Sequence, residues 1–288
     1  MKIANFAVMG GARLGVVDGD TLIDLTIAAP DLPKDLIGLI GLGQAGFDAA
    51  KRAAASALAG AKQPLNGAKL LQPHQNPGKI VCLGLNYAAH AAEGGHQKPD
   101  YPSFFLRCTS SLLAHGEPVI RPKVSDKLDF EAELAFIVGK RSRHLTMANA
   151  LTAVAGYTVF NDVSVRDYQR KTGQWTIGKN FDATGPVGPW FVPAADLPPG
   201  AVGLKIESRL NGEVMQSDNT KNMIFPVAET IVILSECLTL EPGDLIVMGT
   251  PSGVGYARKP PVFMKPGDMI DIEIEGIGVL SNPIAAER

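Results

Sequence analysis

From Asp129 to Lys140 the chain alternates polar and apolar positions at first, then turns continuously apolar beyond Leu134. A period of two is the signature of a strand, so Phe130–Gly139 is predicted as one, closed by Gly139. On such a strand Asp129, Glu131 and Glu133 share one face, and Phe130, Ala132 and Leu134 share the other. The strand therefore runs into a core with carboxylates at its entrance. Comparable patterns predict strands at Lys2–Val8, Arg13–Val17, Thr21–Leu25, Lys79–Gly84, Ser103–Arg107, Gly156–Phe160, Leu204–Leu210 and Met269–Ile274. Helical patterns fall near Asp35–Ile40, Ala45–Ala59, Asn86–Glu93, Thr146–Val154, Ser164–Thr172 and Val227–Leu238. Asn211-Gly212 is a hairpin signal, and Pro242-Gly243-Asp244 and Pro266-Gly267-Asp268 each turn the chain into a new strand.

A polar run, Gln72-Pro73-His74-Gln75-Asn76-Pro77-Gly78, interrupts these elements with two prolines and a glycine. It divides the chain into a small α/β N-terminal domain, residues 1–72, and a larger β-rich domain, residues 73–288. Strands with a few peripheral helices make the class α+β.

Composition narrows the function classes. At 288 residues, 45% hydrophobic and 19% charged, the chain reads as a soluble globular protein with ample core. A formal charge of −2 without a local Lys/Arg cluster excludes a nucleic-acid footprint. No apolar run approaches a membrane span, and Asn5, Gly10, Gly11 and Arg13 break up any signal peptide. Cys82, Cys108 and Cys237 lie in apolar contexts without metal or disulfide spacing, so they read as buried free thiols in a cytoplasmic setting.

Several residues have chemistry beyond packing. Three close carboxylates resist joint ionisation, a conflict that a hard divalent cation removes; a strand with an acidic solvent face is the simpler account. Asp162 comes just after the apolar strand Gly156–Phe160 and is placed either as a third oxygen ligand or as a turn residue or cap for the helix that follows. Arg166 and Gln169 share a face of that helix, and Lys179 sits in a mainly apolar segment, either snorkelling or functional. His90 and Glu93 are one helical turn apart, so the carboxylate can orient the imidazole, as in many solvated surface pairs. Gly94-Gly95 beside them suits the hinge of a lid over Ala89–Lys98. Met248–Gly255 lacks the Lys-Ser/Thr end of a phosphate loop but suits a backbone nest for a carboxylate or oxyanion. Gly41-Leu42-Gly43-Gln44-Ala45-Gly46 spells a dinucleotide fingerprint, yet no acid occurs between Asp48 and Glu93 to hold a ribose.

In this order the segments LGLNYAAHAAE, DFEAELAFIVGKR, GYTVFNDVSVRDYQ, QWTIGKNFDATGPVGPW, the run MIFPVAETIVILSECLTLEPGDLIVMGTPSGVG and FMKPGD strongly resemble the fumarylacetoacetate hydrolase family. The resemblance runs from about Lys79 to Ile277. It implies a catalytic domain of mixed β-sheets with a smaller domain in front, usually as a homodimer. It also implies Glu131, Glu133 and Asp162 as ligands of Mg²⁺ or Mn²⁺, with Ca²⁺ also admitted by the oxygen donors. His90 with Glu93 matches the dyad that activates water, on a segment that orders over the site. Arg166, Gln169, Lys179 and Thr250 match positions lining the pocket of a small 2-oxo or 2,4-dioxo acid. Arg107 stands where family members often have a lysine, and the resemblance assigns Asp129 no role.

The expected activity is metal-dependent hydrolysis of a C–C bond in a 2,4-dioxo acid, with His90, Glu93 and Lys179 catalytic. A decarboxylase or other lyase or isomerase on the same site is the nearest alternative. A dinucleotide-dependent oxidoreductase and a non-catalytic metal-binding relative are more distant ones.

Overall fold

The computed structural model describes residues 1–95 and 97–288. Its largest sheet runs, neighbour to neighbour, through Lys62–Pro64, Thr21–Asp24, Gly11–Asp18, Lys2–Val8 and Gly185–Pro193. It continues through Val154–Asn161, Ala132–Val138, Leu245–Val247, Ile80–Gly84 and Ser103–Leu106. The first strands of the chain thus join the strands of the acidic segment in one sheet, through Ile3 opposite Phe191. Ile3, Leu14 and Phe47 pack in a cluster with Ile80, Ala135, Ile137 and Phe191.

A second sheet orders Glu213–Asn219, Lys205–Leu210, Met269–Ile274, Gly278–Ala286 and Val119–Arg121. Its first hairpin closes as Asn211-Gly212 requires, with both residues at positive φ, 53° and 84°. The main core lies between the sheets: Phe130, Leu134, Phe136 and Val159 pack with Ile206, Ile270, Ile272 and Leu280. Every residue of Ala132–Val138 is buried, which is why its apolar run shows no polar face. The fold is α+β and strand-rich, with helices Leu36–Gly41, Gly43–Ala55 and Val227–Cys237 among those on the periphery.

Tertiary structure changes some of the expected elements. The strand expected at Phe130–Gly139 starts later, as Ala132–Val138 paired with Val154–Asn161, and a separate short strand, Leu128–Asp129 paired with Ser164–Val165, precedes it. Between them the Glu131 N–H donates to Asn161 Oδ1 at 3.0 Å and its carbonyl accepts from the Asp162 N–H at 3.0 Å. Thr146–Val154 yields only the short 3₁₀ turn Ala150–Ala153, because Val154 already starts a strand. Ser164–Thr172 shrinks to the helix Arg166–Gln169, since Ser164 and Val165 are paired with Leu128 and Asp129. Gly41–Gly46 joins one helix to another rather than a strand to a helix, so the dinucleotide fingerprint lacks its strand. Of the cysteines only Cys82 is buried; Cys108 and Cys237 are exposed, contrary to the expectation from their apolar surroundings. Among the described residues no helix is long and apolar enough to cross a membrane.

Candidate active site

The break at Phe130-Glu131 decides which acids meet. Glu131 and Glu133 flank Ala132 and turn to one side, where Asp162, just past the end of Val154–Asn161, joins them. One carboxylate oxygen from each of Glu131, Glu133 and Asp162 lies within 4.8 Å of the others, and all three residues are buried. Asp162 is therefore no helix cap. Asp129 leaves the group: its oxygens accept from Arg166 Nε at 2.8 Å and from the N–H groups of Phe130, Gly255 and Tyr256 at 2.8, 2.8 and 3.0 Å.

Cations surround the triad unevenly. Lys179 Nζ lies 2.6 Å from both Glu131 Oε2 and Asp162 Oδ2, and Arg107 Nη1 binds Asp162 Oδ1 from behind at 2.5 Å. Arg166 Nη1 meets Glu131 Oε1 at 2.7 Å. Glu133 has no ion-pair partner among the described residues and accepts only the Gly249 N–H, at 2.6 Å. Its carboxyl is pushed well above the usual range, first by burial and then by the charges of Asp162 and Glu131. Glu131 goes the other way, to about 2: burial opposes its charge, but Lys179 and Arg166 prevail. Lys179 is likewise penalised by burial yet held above its ordinary value by Asp162 and Glu131, so it is a charged donor and not a base.

This pattern fits a hard divalent cation. The donors are all carboxylate oxygens, and the local cations leave one buried carboxylate uncompensated. Mg²⁺, Mn²⁺ and Ca²⁺ all suit such a set.

A cleft of about 440 Å³ opens over these groups, lined among others by His90, Phe105, Glu131, Glu133, Arg166, Gln169, Lys179 and Thr250. His90 is only 6% exposed, so its pair with Glu93 is not a solvated surface contact. Its Nδ1 lies 2.8 Å from Glu93 Oε1; a carboxylate accepts, so Nδ1 carries a proton, and in the neutral ring the lone pair is then on Nε2. Gln169 Oε1 accepts from Arg166 Nη1 at 3.0 Å, and Thr250 Oγ1 accepts from Gln216 Nε2 at 2.7 Å. Glu93 and Asp162 stand behind the lining, each holding a residue that reaches it. The cleft thus brings together the residues singled out from the sequence. Of the lid segment Ala89–Lys98, His96 lies outside the described residues.

The loop after Leu245–Val247 is a nest, as its sequence suggests, but it grips the protein's own acids. Gly249 donates to Glu133, Gly253 to Glu93, and Gly255 and Tyr256 to Asp129. Two residues that sequence reasoning missed hold the loop in place. Asn86 Nδ2 donates to Met248 O at 2.7 Å, and Gln216 Nε2 donates to Pro251 O at 2.8 Å. Arg107, legible only as a departure, is fully engaged with Asp162, Ser111 and Thr184.

Known proteins share this architecture. Residues 79–285 match the model of the fumarylacetoacetate (FAA) hydrolase C-terminal family. A mitochondrial oxaloacetate tautomerase, FAHD2A of Bos taurus, is 40% identical over 290 residues, 99% of this chain and 91% of its own. The fumarylacetoacetate hydrolase of psychrophilic Exiguobacterium antarcticum superposes with a TM-score of 0.85 at 35% identity, covering 100% of both chains. Maleylpyruvate hydrolase of Sphingobium sp. SYK-6, in complex with manganese(II) ion and pyruvate, gives 0.79 at 31% identity, again over 100% of both chains. Through this match and the acidic triad it surrounds, the chain belongs to the fumarylacetoacetate hydrolase family.

Proposed function

We propose that the chain is a divalent-metal-dependent hydrolase that cleaves the C3–C4 bond of a 2,4-dioxo acid. One observation carries this reading: an imidazole with Nδ1 tied to a carboxylate lines the same cleft as Glu131 and Glu133 of the buried acidic triad. A cation held by Glu131, Glu133 and Asp162 would supply Lewis-acid polarisation of the substrate's 2-oxo group. Mn²⁺ is supported by the manganese and pyruvate of the Sphingobium hydrolase, and Mg²⁺ by the same oxygen donors.

The protein's own residues do the rest. Arg166, Gln169 and Thr250 orient the acid end of the substrate, and the Lys179 ammonium favours negative charge on its oxygens. His90 Nε2 takes a proton from water as the water oxygen bonds to C4. The C3–C4 bond then breaks, and its electron pair stays with C3 as the enolate of pyruvate. C3 recovers the proton from His90, which leaves pyruvate and a carboxylic acid.

A second reading is tautomerisation or decarboxylation of oxaloacetate, favoured by the identity with the Bos taurus tautomerase. Neither reaction needs an attacking water, and both use the same polarised 2-oxo group. Turnover of a panel of acylpyruvates and oxaloacetate with Mg²⁺ or Mn²⁺ separates the readings. Activity on oxaloacetate alone would overturn the hydrolase, and full activity in metal-free protein would overturn both. The reading includes a homodimer in the cytoplasm; light scattering and cell fractionation test those two points.

A further inference from the structure

We propose that Asn180 is a positioning residue: its side chain clasps the segment that carries Lys179 to the strand end that carries Arg107, so that the two cations grip Asp162 at a fixed separation. This rests on the role given above to the Lys179 ammonium at the substrate's oxygens.

The two cations meet one carboxylate from opposite ends. Lys179 Nζ lies 2.6 Å from Asp162 Oδ2, and Arg107 Nη1 lies 2.5 Å from Oδ1. Neither cation has a backbone that is held by regular structure alone. Lys179 ends the helix Thr176–Lys179, a single turn too short to keep its own place. Arg107 directly follows Ser103–Leu106, the strand at one edge of the large sheet, whose outer side has no strand partner among the described residues.

Asn180 supplies what a neighbouring strand would. Its Nδ2 donates to Leu106 O at 3.1 Å, and its Oδ1 accepts the Cys108 N–H at 2.5 Å. A donor to the residue before Arg107 and an acceptor from the residue after it is the pattern that a parallel strand would present there. The inner side of Arg107 is already paired, since its own N–H donates to Ile80 O at 3.1 Å. Asn180 Nδ2 also donates to Thr176 O at 2.8 Å, which ties the first residue of the short helix to the same amide. One carboxamide therefore joins the helix of Lys179 to both peptide groups flanking Arg107. Asn180 is not among the residues that line the cleft, so it acts through those two side chains.

Two apolar contacts show how closely the segment fits. Trp175 lies on Gly84, where a Cβ would sit 2.1 Å from the ring, and meets Phe105 edge-on with centroids 5.6 Å apart. A Cβ on Gly178 would sit 2.3 Å from Gln169 N. Such contacts press the helix into place but are not directional, so they allow it to slide. Hydrogen bonds to Leu106 O and Cys108 N fix its register. A shift of about 1 Å in a charged group that stabilises a transition state can cost about 10²-fold.

Steady-state kinetics on the acylpyruvate or oxaloacetate that the wild-type protein turns over with Mg²⁺ tests the clasp. Asn180→Ala removes all three hydrogen bonds at a partly exposed position, and its melting temperature should stay within about 5 °C of wild type. Its kcat should fall roughly 10–100-fold while KM changes less than about threefold, because Lys179 matters most as negative charge develops. A role in stability alone would leave the kcat of the folded mutant unchanged. In a Lys179→Met background Asn180→Ala should cost nothing further, because the group it positions is gone. A wild-type kcat in Asn180→Ala, or the same added loss in the Lys179→Met background, would overturn the clasp alone. A wild-type kcat in Lys179→Met, or no turnover of either substrate, would instead overturn the role given to Lys179 and the inference with it.

Discussion

The Gly253 N–H reaches both oxygens of Glu93, at 3.1 and 2.9 Å, while Glu93 Oε1 lies 2.8 Å from His90 Nδ1. The carboxylate is therefore pinned from a distant loop before it orients the imidazole. Gly253 has a φ of 101°, and a Cβ there would sit 2.3 Å from the Met215 carbonyl oxygen. Only glycine brings the N–H so close. The same loop holds Glu133 and Asp129, so the proposed base, the triad and Arg166 share one backbone support.

That arrangement predicts how the dyad fails. His90→Ala should cost roughly 10²–10⁴-fold in acylpyruvate hydrolysis, with metal affinity unchanged. Glu93→Ala should cost less, roughly 10–100-fold, because the base remains but loses its orientation. Oxaloacetate decarboxylation, which needs no attacking water, should tolerate His90→Ala far better. Rates on both substrates check this, and equal losses would reassign His90 to positioning.

Glu133 should behave as the uncompensated acid of the cluster. Glu133→Gln should weaken Mg²⁺ or Mn²⁺ binding by at least ~10-fold and raise the melting temperature of the metal-free protein. Calorimetry and thermal melts in chelator measure the two effects. A destabilised metal-free mutant would show that the carboxylate is held by something other than a cation.

The acidic strand was legible because its alternation places Glu131 and Glu133 on one face, and that much the structure keeps. The role of Asp129 was hidden, since apart from the adjacent Phe130 N–H its partners are Arg166 and backbone N–H groups more than 120 residues away. The central strand Gly185–Pro193 was illegible for a different reason. Its three prolines and two glycines read as a loop, whereas burial between Lys2–Val8 and Val154–Asn161 makes it a strand. Asn86 and Gln216 left no local signal either, because the carbonyls they hold, Met248 O and Pro251 O, are distant in sequence.

Arg107 supports the triad from behind. Its side chain is 0% exposed and binds Asp162, Ser111 and Thr184. Arg107→Met leaves Asp162 with Lys179 as its remaining cation and should cost about 1–3 kcal/mol. Arg107→Lys keeps the charge without the planar fork and should cost less, while still weakening metal binding. Denaturant melts and metal titrations read the two losses separately.

We propose that the boundary between a domain of residues 1–72 and one of residues 73–288 lies in Gln72–Gly78, where Gln75 and Asn76 are exposed. Limited proteolysis should cut there before it cuts Ala132–Val138, all of which is buried. Early cleavage inside that strand would contradict the boundary.

Stability should fall on mild acidification, and His115 gives the clearest reason. Its Nδ1 accepts the Ser281 N–H at 3.1 Å, and Asn282 Nδ2 donates to Ala114 O at 2.8 Å, which docks this turn on the strand Gly278–Ala286. Protonated, Nδ1 would face that N–H donor to donor. Burial lowers the pKa of His115 below 6.5, with Asp271 opposing, and burial does the same to His74 against weaker pulls from Asn76, Asp35 and Asp244. A base with a depressed folded pKa binds fewer protons folded than unfolded, so stability rises with pH across that window. The contribution is complete above the unfolded value and is lost as pH falls below about 6.5. In saturating Mg²⁺, where Glu133 would stay ionised, melting temperature at constant ionic strength should therefore drop between about pH 7.5 and 5.5, whereas in chelator the raised pKa of Glu133 pulls the other way. His115→Asn supplies an acceptor that does not titrate, and it should flatten part of that slope. An unchanged slope would mean that the Ser281 contact survives protonation, and the acid sensitivity would then rest on His74.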